Sequence, residues 1–464
     1  MALSTDLPTA GDRDRLVARF PAGVLTTDPD IVASYAHDES RLSERNMPWA
    51  VASPATTDEV AQCMRLASEA GIPVVVRGAG SGLSGAANAP AGALVLSTHR
   101  MARILELDVA DRLAVVQPGV VTGALRAAVA EVGLFYPPDP GSVAFSTMGG
   151  NVATNAGGMC CIKYGVTGDF VVGLEAVLAD GRVMRTGRRT LKGVAGYDLT
   201  RLLVGSEGTL AIVTEITVRL LPAPARAATM VAMFASLADA GRAVAAIGQD
   251  AVDTSMLELM DRTTLGAVER KAHLGFDEDV AAALIVQSDA PGSADQLAAA
   301  EAACRRCGAT EVVVSSDPDE ADLLLQARRL ALPALEELGD WLLDDVCVPR
   351  SRVVDLVEHI QRVGAEEGLE IGVFGHAGDG NMHPTIIFDE SDEASRTAAL
   401  RAFDSITARA LELGGTITGE HGVGRLKGPW LLRELDPVSA QVQAAVRRAL
   451  DPQGLLNPGC VLPG

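Results

Sequence analysis

The stretch Ile72-Pro-Val-Val-Val-Arg-Gly-Ala-Gly-Ser-Gly-Leu-Ser-Gly85 does most to limit what this chain can fold into. An apolar run suited to a buried strand leads directly into a glycine loop containing a formal GxGxxG match at Gly80, Gly82 and Gly85. A nicotinamide-binding βαβ unit would need a helix opening at that loop and an acidic residue about 20 positions on. Here Ala-Ala-Asn-Ala-Pro-Ala-Gly follows, with Pro90 and Gly92 in the way, and the next acid is Glu106. The unit therefore reads strand, glycine loop, strand. Successive glycine N–H groups in such a loop can still approach the oxygens of a diphosphate.

Residues 139–158, DPGSVAFSTMGGNVATNAGG, repeat the theme with five glycines among small hydroxyl and amide residues, leaving room for a flat ligand. The strand-like runs LAVVQPG, VVGLEAVLADG and TLAIVTEITVRL continue the same α+β style to Leu220. Prolines in LLPAPARAA (220–228) interrupt either periodicity and mark a domain boundary. Beyond it, Ala-rich amphipathic helices alternate with short strands, predicting helices layered on a sheet.

At 464 residues and 48% hydrophobic, the chain can bury more than one core. Its net charge of −21 repels nucleic acid and anionic membranes. No run of about 18 apolar residues occurs, and the N-terminus shows no signal-peptide pattern, so a cytoplasmic enzyme is the expectation. Seven cysteines form no even framework and are read as reduced thiols, including Cys304 and Cys307 on a helical stretch.

The segment Phe374-Gly-His-Ala-Gly-Asp-Gly-Asn-Met-His-Pro-Thr385 carries the chemistry. Asp379-Gly380 is a preferred two-residue hairpin turn, which would set His376 opposite His383 with Cβ atoms about 5 Å apart. Two imidazoles so placed could converge on one ion, or simply stack. Thr418-Gly-Glu-His-Gly-Val-Gly424 offers Glu420 as a third ligand. Two histidines, a carboxylate and an open position suit a divalent metal, zinc or manganese. His421 beside that ligand is a candidate general base or a residue that only orients Glu420. For a substrate carboxylate, Arg328 and Arg329 are candidates, and on a helix they cannot face the same way. Tyr197 and Trp341 either shape the pocket or serve as core aromatics.

Together these segments resemble the vanillyl-alcohol oxidase/PCMH family of FAD flavoproteins, in its FAD-linked oxidase branch. That branch holds the flavin chains of glycolate oxidases, D-lactate dehydrogenases and D-2-hydroxyglutarate dehydrogenases. The resemblance covers residues from about 45 to the end. It implies an α+β fold, with a PCMH-type FAD-binding domain of two α+β subdomains (46–222) and a substrate or cap domain with a helix-flanked sheet and the metal site (223–425). A 1–45 segment would pack on the FAD domain and a 426–464 segment would return to it. It implies that Arg77, Gly78, Ala79, Gly80, Ser81, Gly82, Leu83 and Gly85 grip the FAD diphosphate. Pro140, Gly141, Ser142, Thr147, Gly149, Gly150, Asn151, Thr154, Asn155, Gly157, Gly158 and Gly165 would line the dinucleotide. Glu207, Gly208 and Ile212 would lie near the adenine side and Asn457 near the flavin.

Ser81 stands where some relatives attach FAD through histidine, which implies non-covalent FAD. Metal-dependent members carry GHxGDGNxH and GEHG, and Arg328 matches their carboxylate-binding arginine. Leu332 and Leu343 stand where hydroxyglutarate dehydrogenases carry Thr and Lys, favouring glycolate or D-lactate as substrate. The expected activity is oxidation of a small D-2-hydroxy acid. A metal-free oxidase of a bulkier alcohol and a flavin subunit of a multi-chain glycolate oxidase are the competing readings. The electron acceptor (quinone, cytochrome or electron-transfer protein) and a homodimeric state stay open.

Overall fold

The computed structural model describes residues 15–43 and 46–462; the start of the expected 1–45 segment lies outside them. The first subdomain is built on a four-stranded sheet ordered Leu25–Thr26, Ala50–Ala52, Leu94–Ser97, Val74–Arg77. The last three strands run parallel. Leu94, Val95 and Leu96 are fully buried, as a strand covered on both faces requires, and each contributes roughly 1.5–3 kcal/mol by leaving water. The helix Thr57–Ala70 covers this sheet. Thr56 caps it by accepting the Glu59 N–H at 3.2 Å, and Gly71 ends it in the left-handed region at φ 64°. Between Val74–Arg77 and Leu94–Ser97 no helix forms, so the glycine loop itself makes the crossover.

The second subdomain is a five-stranded antiparallel sheet ordered Ile104–Asp108, Leu113–Val116, Ile212–Arg219, Val171–Val177, Val183–Gly187. Its central strand buries Ile212, Thr214, Ile216 and Val218 at the two-residue period of a strand. The helices Thr122–Ala130 and Met148–Thr154 fill the core beside it.

After a short proline-containing connection, residues 223–227, the cap begins with Ala228–Phe234. Its mixed-length sheet is ordered Ala309–Ser315, Ala228–Phe234, Ala282–Ser288, Met256–Asp261, Ile371–His376, Asn381–Phe388, Asp340–Leu343, with Val346–Cys347 also paired to Asn381–Phe388. One face is covered by Leu237–Gln249, Ser293–Arg306, Val353–Glu367 and Glu393–Glu412. The other is covered by Arg262–Ala272 and Pro318–Leu335. Lys163, which precedes the second sheet's strand Val171–Val177, pairs with Asp253 at 2.9 Å and Asp289 at 2.8 Å, tying the two halves together.

Residues 426–462 touch both halves. Trp430 is buried in the cap core, whereas Val446 and Leu450 pack on the second subdomain. The tail then docks on the first sheet, where Val74 N–H donates to Leu455 O and Asn457 N–H to Val74 O, both at 2.8 Å. Tyr197 is 97% exposed, so it is no core aromatic; Trp341 is buried.

Candidate active site

The hairpin does not form with the expected two-residue turn. Residues 377–380 make a four-residue loop, and His376 lies opposite Asn381 while His383 lies opposite Phe374. Bonds outside the hairpin draw the loop residues from the ladder. Gly378 N–H donates to Leu257 O at 2.9 Å, and Val348 N–H donates to Gly380 O at 3.0 Å. The slip is two residues, and because side chains alternate with period 2, both histidines keep the same face. They meet as diagonal neighbours, rings edge-on with centroids 5.0 Å apart.

The loop after Thr416 brings in Glu420. His376 Nε2 and Glu420 Oε1 are 3.2 Å apart, His383 Nε2 and Glu420 Oε1 3.3 Å, and the two Nε2 atoms 3.3 Å. Ligands bound at about 2.0–2.1 Å around a tetrahedral ion lie about 3.3 Å from one another. The three donors thus fit one face of such a centre, with the fourth side left for another ligand. Burial pushes His383 down to about 4, so it presents a neutral nitrogen. Burial also opposes charge on His376, but Glu258 and Glu420 outweigh it and hold its pKa well above the ordinary value. Burial would raise Glu420, yet His376 and His383 hold it well below the carboxylate range.

Asp345 positions the Glu420 loop. Its Oδ2 accepts the Thr418 hydroxyl at 2.6 Å and the backbone N–H groups of Gly419, Glu420 and His421 at 2.9, 3.0 and 3.0 Å. Its Oδ1 lies 3.6 Å from His383 Nδ1. Buried Lys427 holds the same region through Asp345 O at 2.6 Å, Ile417 O at 2.7 Å and Asp344 Oδ1 at 2.7 Å.

Arg328, on the helix Pro318–Leu335, donates from Nε to Glu258 Oε2 at 2.6 Å, and its guanidinium lies 4.7 Å from the Phe374 ring centre. Glu258 in turn accepts from His376 Nδ1 at 2.8 Å. Burial would raise Glu258, but His376 and Arg328 hold it low. Arg329 turns away to pair with Asp322 at 2.6 Å. His421 stacks on His383 with centroids 5.0 Å apart, and its Nδ1 is buried without a partner.

The glycine clusters close around this centre. In the first loop Gly80 and Gly85 sit at φ 78° and 79°, where glycine is needed. Arg77 donates to His37 O at 2.7 Å, while Gly78 packs on Thr147. Ala79 is exposed and Ser81, Gly82 and Leu83 are half-buried. In the second cluster Thr147 and Asn151 are buried, and Asn151 Nδ2 donates to Thr122 Oγ1 at 2.7 Å. Gly149 packs on Pro118 and Gly158 on Asp139, so both stretches keep backbone close to backbone. Pro140 is buried, Gly141 exposed, and Ser142, Gly150, Thr154, Asn155 and Gly165 are half-buried. Gly157 lies against the Glu420 carboxylate, so the second glycine cluster and the imidazole pair share a wall. Backbone exposed by glycine, with no Cβ in the way, fits a bound diphosphate.

Other expected cofactor residues are engaged with the protein itself. Glu207 is buried, and its carboxylate accepts the Val423 and Gly424 N–H groups, both at 2.8 Å. Gly208 and Ile212 are buried next to it in the chain. Asn457 donates to Ala86 O at 2.8 Å and Glu207 O at 2.9 Å. These contacts join the tail, the first glycine loop and the Glu420 loop.

Sequence reasoning missed Glu258 and Asp345. Two acids in the otherwise apolar run Met256-Leu-Glu-Leu-Met-Asp261, and Asp344-Asp345 behind Trp-Leu-Leu, were the available signals. Carboxylates on strands that must be buried need partners.

With this geometry in view, the class is plain. The C-terminal domain of FAD linked oxidases matches residues 223–461, and an FAD binding domain matches 48–187. The chain belongs to the FAD-linked oxidase family, an FAD-binding oxidoreductase. It is 43% identical to glycolate oxidase subunit GlcD of Bacillus subtilis (strain 168), over 92% of this chain and 91% of that protein. To D-lactate dehydrogenase of Anaerostipes hadrus it is 33% identical, over 95% and 94%. Its fold matches a crystal structure of p-cresol methylhydroxylase with substrate bound, at TM-score 0.81 and 17% identity, over 98% and 99% of the two chains. Among the described residues no helix is long and apolar enough to cross a membrane.

Proposed function

We propose that this chain oxidises a small D-2-hydroxy acid of the glycolate or D-lactate type to the 2-oxo acid, with His376, His383 and Glu420 as ligands of zinc or manganese. The observation that carries it is the triangle of donor atoms 3.2–3.3 Å on a side, in a chain related to proteins named for glycolate oxidase and D-lactate dehydrogenase. When bound, FAD supplies a two-electron acceptor and the divalent ion a Lewis acid that acidifies the hydroxyl.

The protein's own groups do the rest. Arg328 spends Nε on Glu258 and keeps its terminal nitrogens for a carboxylate, a fork suited to that anion. His421, with an unpartnered Nδ1, takes the hydroxyl proton. Leu343, which shares the His383 face through its pairing with Thr385, and half-buried Leu332 offer no charge to a second carboxylate. A monocarboxylate is favoured for that reason.

Anaerobic flavin bleaching against D- and L-2-hydroxy acids, with and without chelator, tests the reading. Glycolate or D-lactate should bleach the flavin, chelation should abolish it, and zinc or manganese should restore it. Bleaching that survives full metal removal, or that responds only to a bulkier alcohol, overturns it. A second reading, a flavin-carrying chain of a multi-chain oxidase, draws on the word "subunit" in the name of the 43% identical relative; dye-linked activity in the isolated chain argues against it.

A further inference from the structure

Glu258 is fully buried in the middle of the cap sheet, flanked along its strand by buried Met256, Leu257, Leu259 and Met260. A carboxylate there is costly unless each oxygen is engaged. Both are. Oε1 and Oε2 lie 2.8 and 3.0 Å from His376 Nδ1, and Oε2 also takes Arg328 Nε at 2.6 Å. The strand pairing explains the first contact: Leu259 lies opposite Gly375, so Glu258 falls opposite His376.

We infer that Glu258 is a positioning residue that locks the metal-ligand imidazole and the carboxylate-binding guanidinium into one rigid unit, and so sets the spacing that selects 2-hydroxy acids. The inference rests on the proposed function for the roles of His376 and Arg328. Its own content is the link between them.

Three constraints converge. A carboxylate can only accept, so Nδ1 of His376 carries the hydrogen toward Glu258, and Nε2 is the nitrogen left facing His383 and Glu420, the one that would offer its lone pair to a bound ion. Arg328 is held at Nε, and its guanidinium carbon lies over the Phe374 ring, 4.7 Å from the ring centre, so a bond and a ring contact both restrain it. Because one carboxylate holds both groups, the gap between the anion fork and the ion position is fixed by a single side chain. In a 2-hydroxy acid the carboxylate and hydroxyl sit on adjacent carbons, and a 3-hydroxy acid spreads them by one carbon more. A fixed gap accepts the first and rejects the second.

Glu258→Gln removes this link with little change in size. Its amide has one acceptor and one donor group where two donors must be met. The mismatch is relieved if His376 moves its hydrogen to Nε2, where the ligand lone pair is required. In flavin-loaded protein, zinc affinity by chelator competition should fall 10- to 100-fold. At saturating zinc, KM for D-lactate or glycolate should rise at least about tenfold, and the preference for 2-hydroxy- over 3-hydroxybutyrate should shrink.

Glu258→Asp keeps the charge but reaches only one partner, so it should recover part of either loss. It also serves if the Gln variant does not fold. Wild-type zinc affinity and KM in a folded variant, even one with a lowered melting temperature, overturn the inference and leave the proposed function standing. A wild-type protein with no tight zinc or manganese site overturns both.

Discussion

Gly157 of the second glycine cluster lies so close to Glu420 of the cap that a Cβ added there would come within 2.5 Å of Glu420 Oε2 and 3.1 Å of its Cβ. The absent side chain is therefore a condition for the carboxylate's position. Gly157 has no positive φ, so alanine meets no backbone penalty in Gly157→Ala, and its Cβ would press on Glu420 and, at 3.2 Å, on Cys161 Sγ. Zinc affinity should drop at least about tenfold, because Glu420, as the proposed third ligand, reaches the two imidazoles only where it now stands. Gly266→Ala, in a helix with its nearest neighbour atom at 3.7 Å, should leave affinity unchanged and add about 0.5–1 kcal/mol of stability. Chelator competition and thermal melts read both.

Asp345 holds four donors of the Glu420 loop on one oxygen. Burial alone would raise its pKa, but His421, Lys427 and His383 keep the carboxyl ionised. Asp345→Asn removes the charge while keeping the shape. It should destabilise the cap by about 3 kcal/mol and loosen the metal, read by urea unfolding and by zinc content after dialysis. A variant as stable as the wild type with full metal would show that the loop is held elsewhere.

Glu207 gives a pH dependence. Burial raises its pKa to about 7, partly countered by the Val423 and Gly424 N–H groups. An unfolded glutamate titrates near 4.3. Between about pH 4.3 and 7 the unfolded chain gives up this proton first, so the group's contribution to stability declines across that window and stays lowered above it. The drop is on the order of 3 kcal/mol. In Glu207→Gln this fall with pH should vanish, whatever the variant's absolute stability. Melting temperatures of both proteins from pH 4.5 to 8 would test it, and parallel curves would refute it.

How much of this was legible in the sequence differs by element. The non-Rossmann glycine loop could be read because Pro90 and Gly92 leave no room for a helix, and the chain does cross from strand to strand there. The shared face of His376 and His383 followed from parity, which survives a slip of two residues; their pairing did not, because Leu257 and Val348, far away in sequence, bond the loop. Glu258 and Asp345 were invisible as site residues since nothing local says which neighbour a buried acid will meet. The resemblance put Glu207 near the adenine side, and what its carboxylate meets, the backbone of residues 423–424, was not legible. That contact spans the two halves of the chain, and no local pattern encodes it.

The peptide from Thr418 to Leu426 is anchored by Asp345 from below, by Glu207 from the side, and by Ser84, whose carbonyl takes the Arg425 and Leu426 N–H groups at 3.0 and 3.1 Å. Two of those three anchors belong to the nucleotide half. A cap grafted onto this chain from elsewhere would then seat at this seam only if its own loop offered backbone N–H groups where the Ser84 carbonyl and the Glu207 carboxylate now find them.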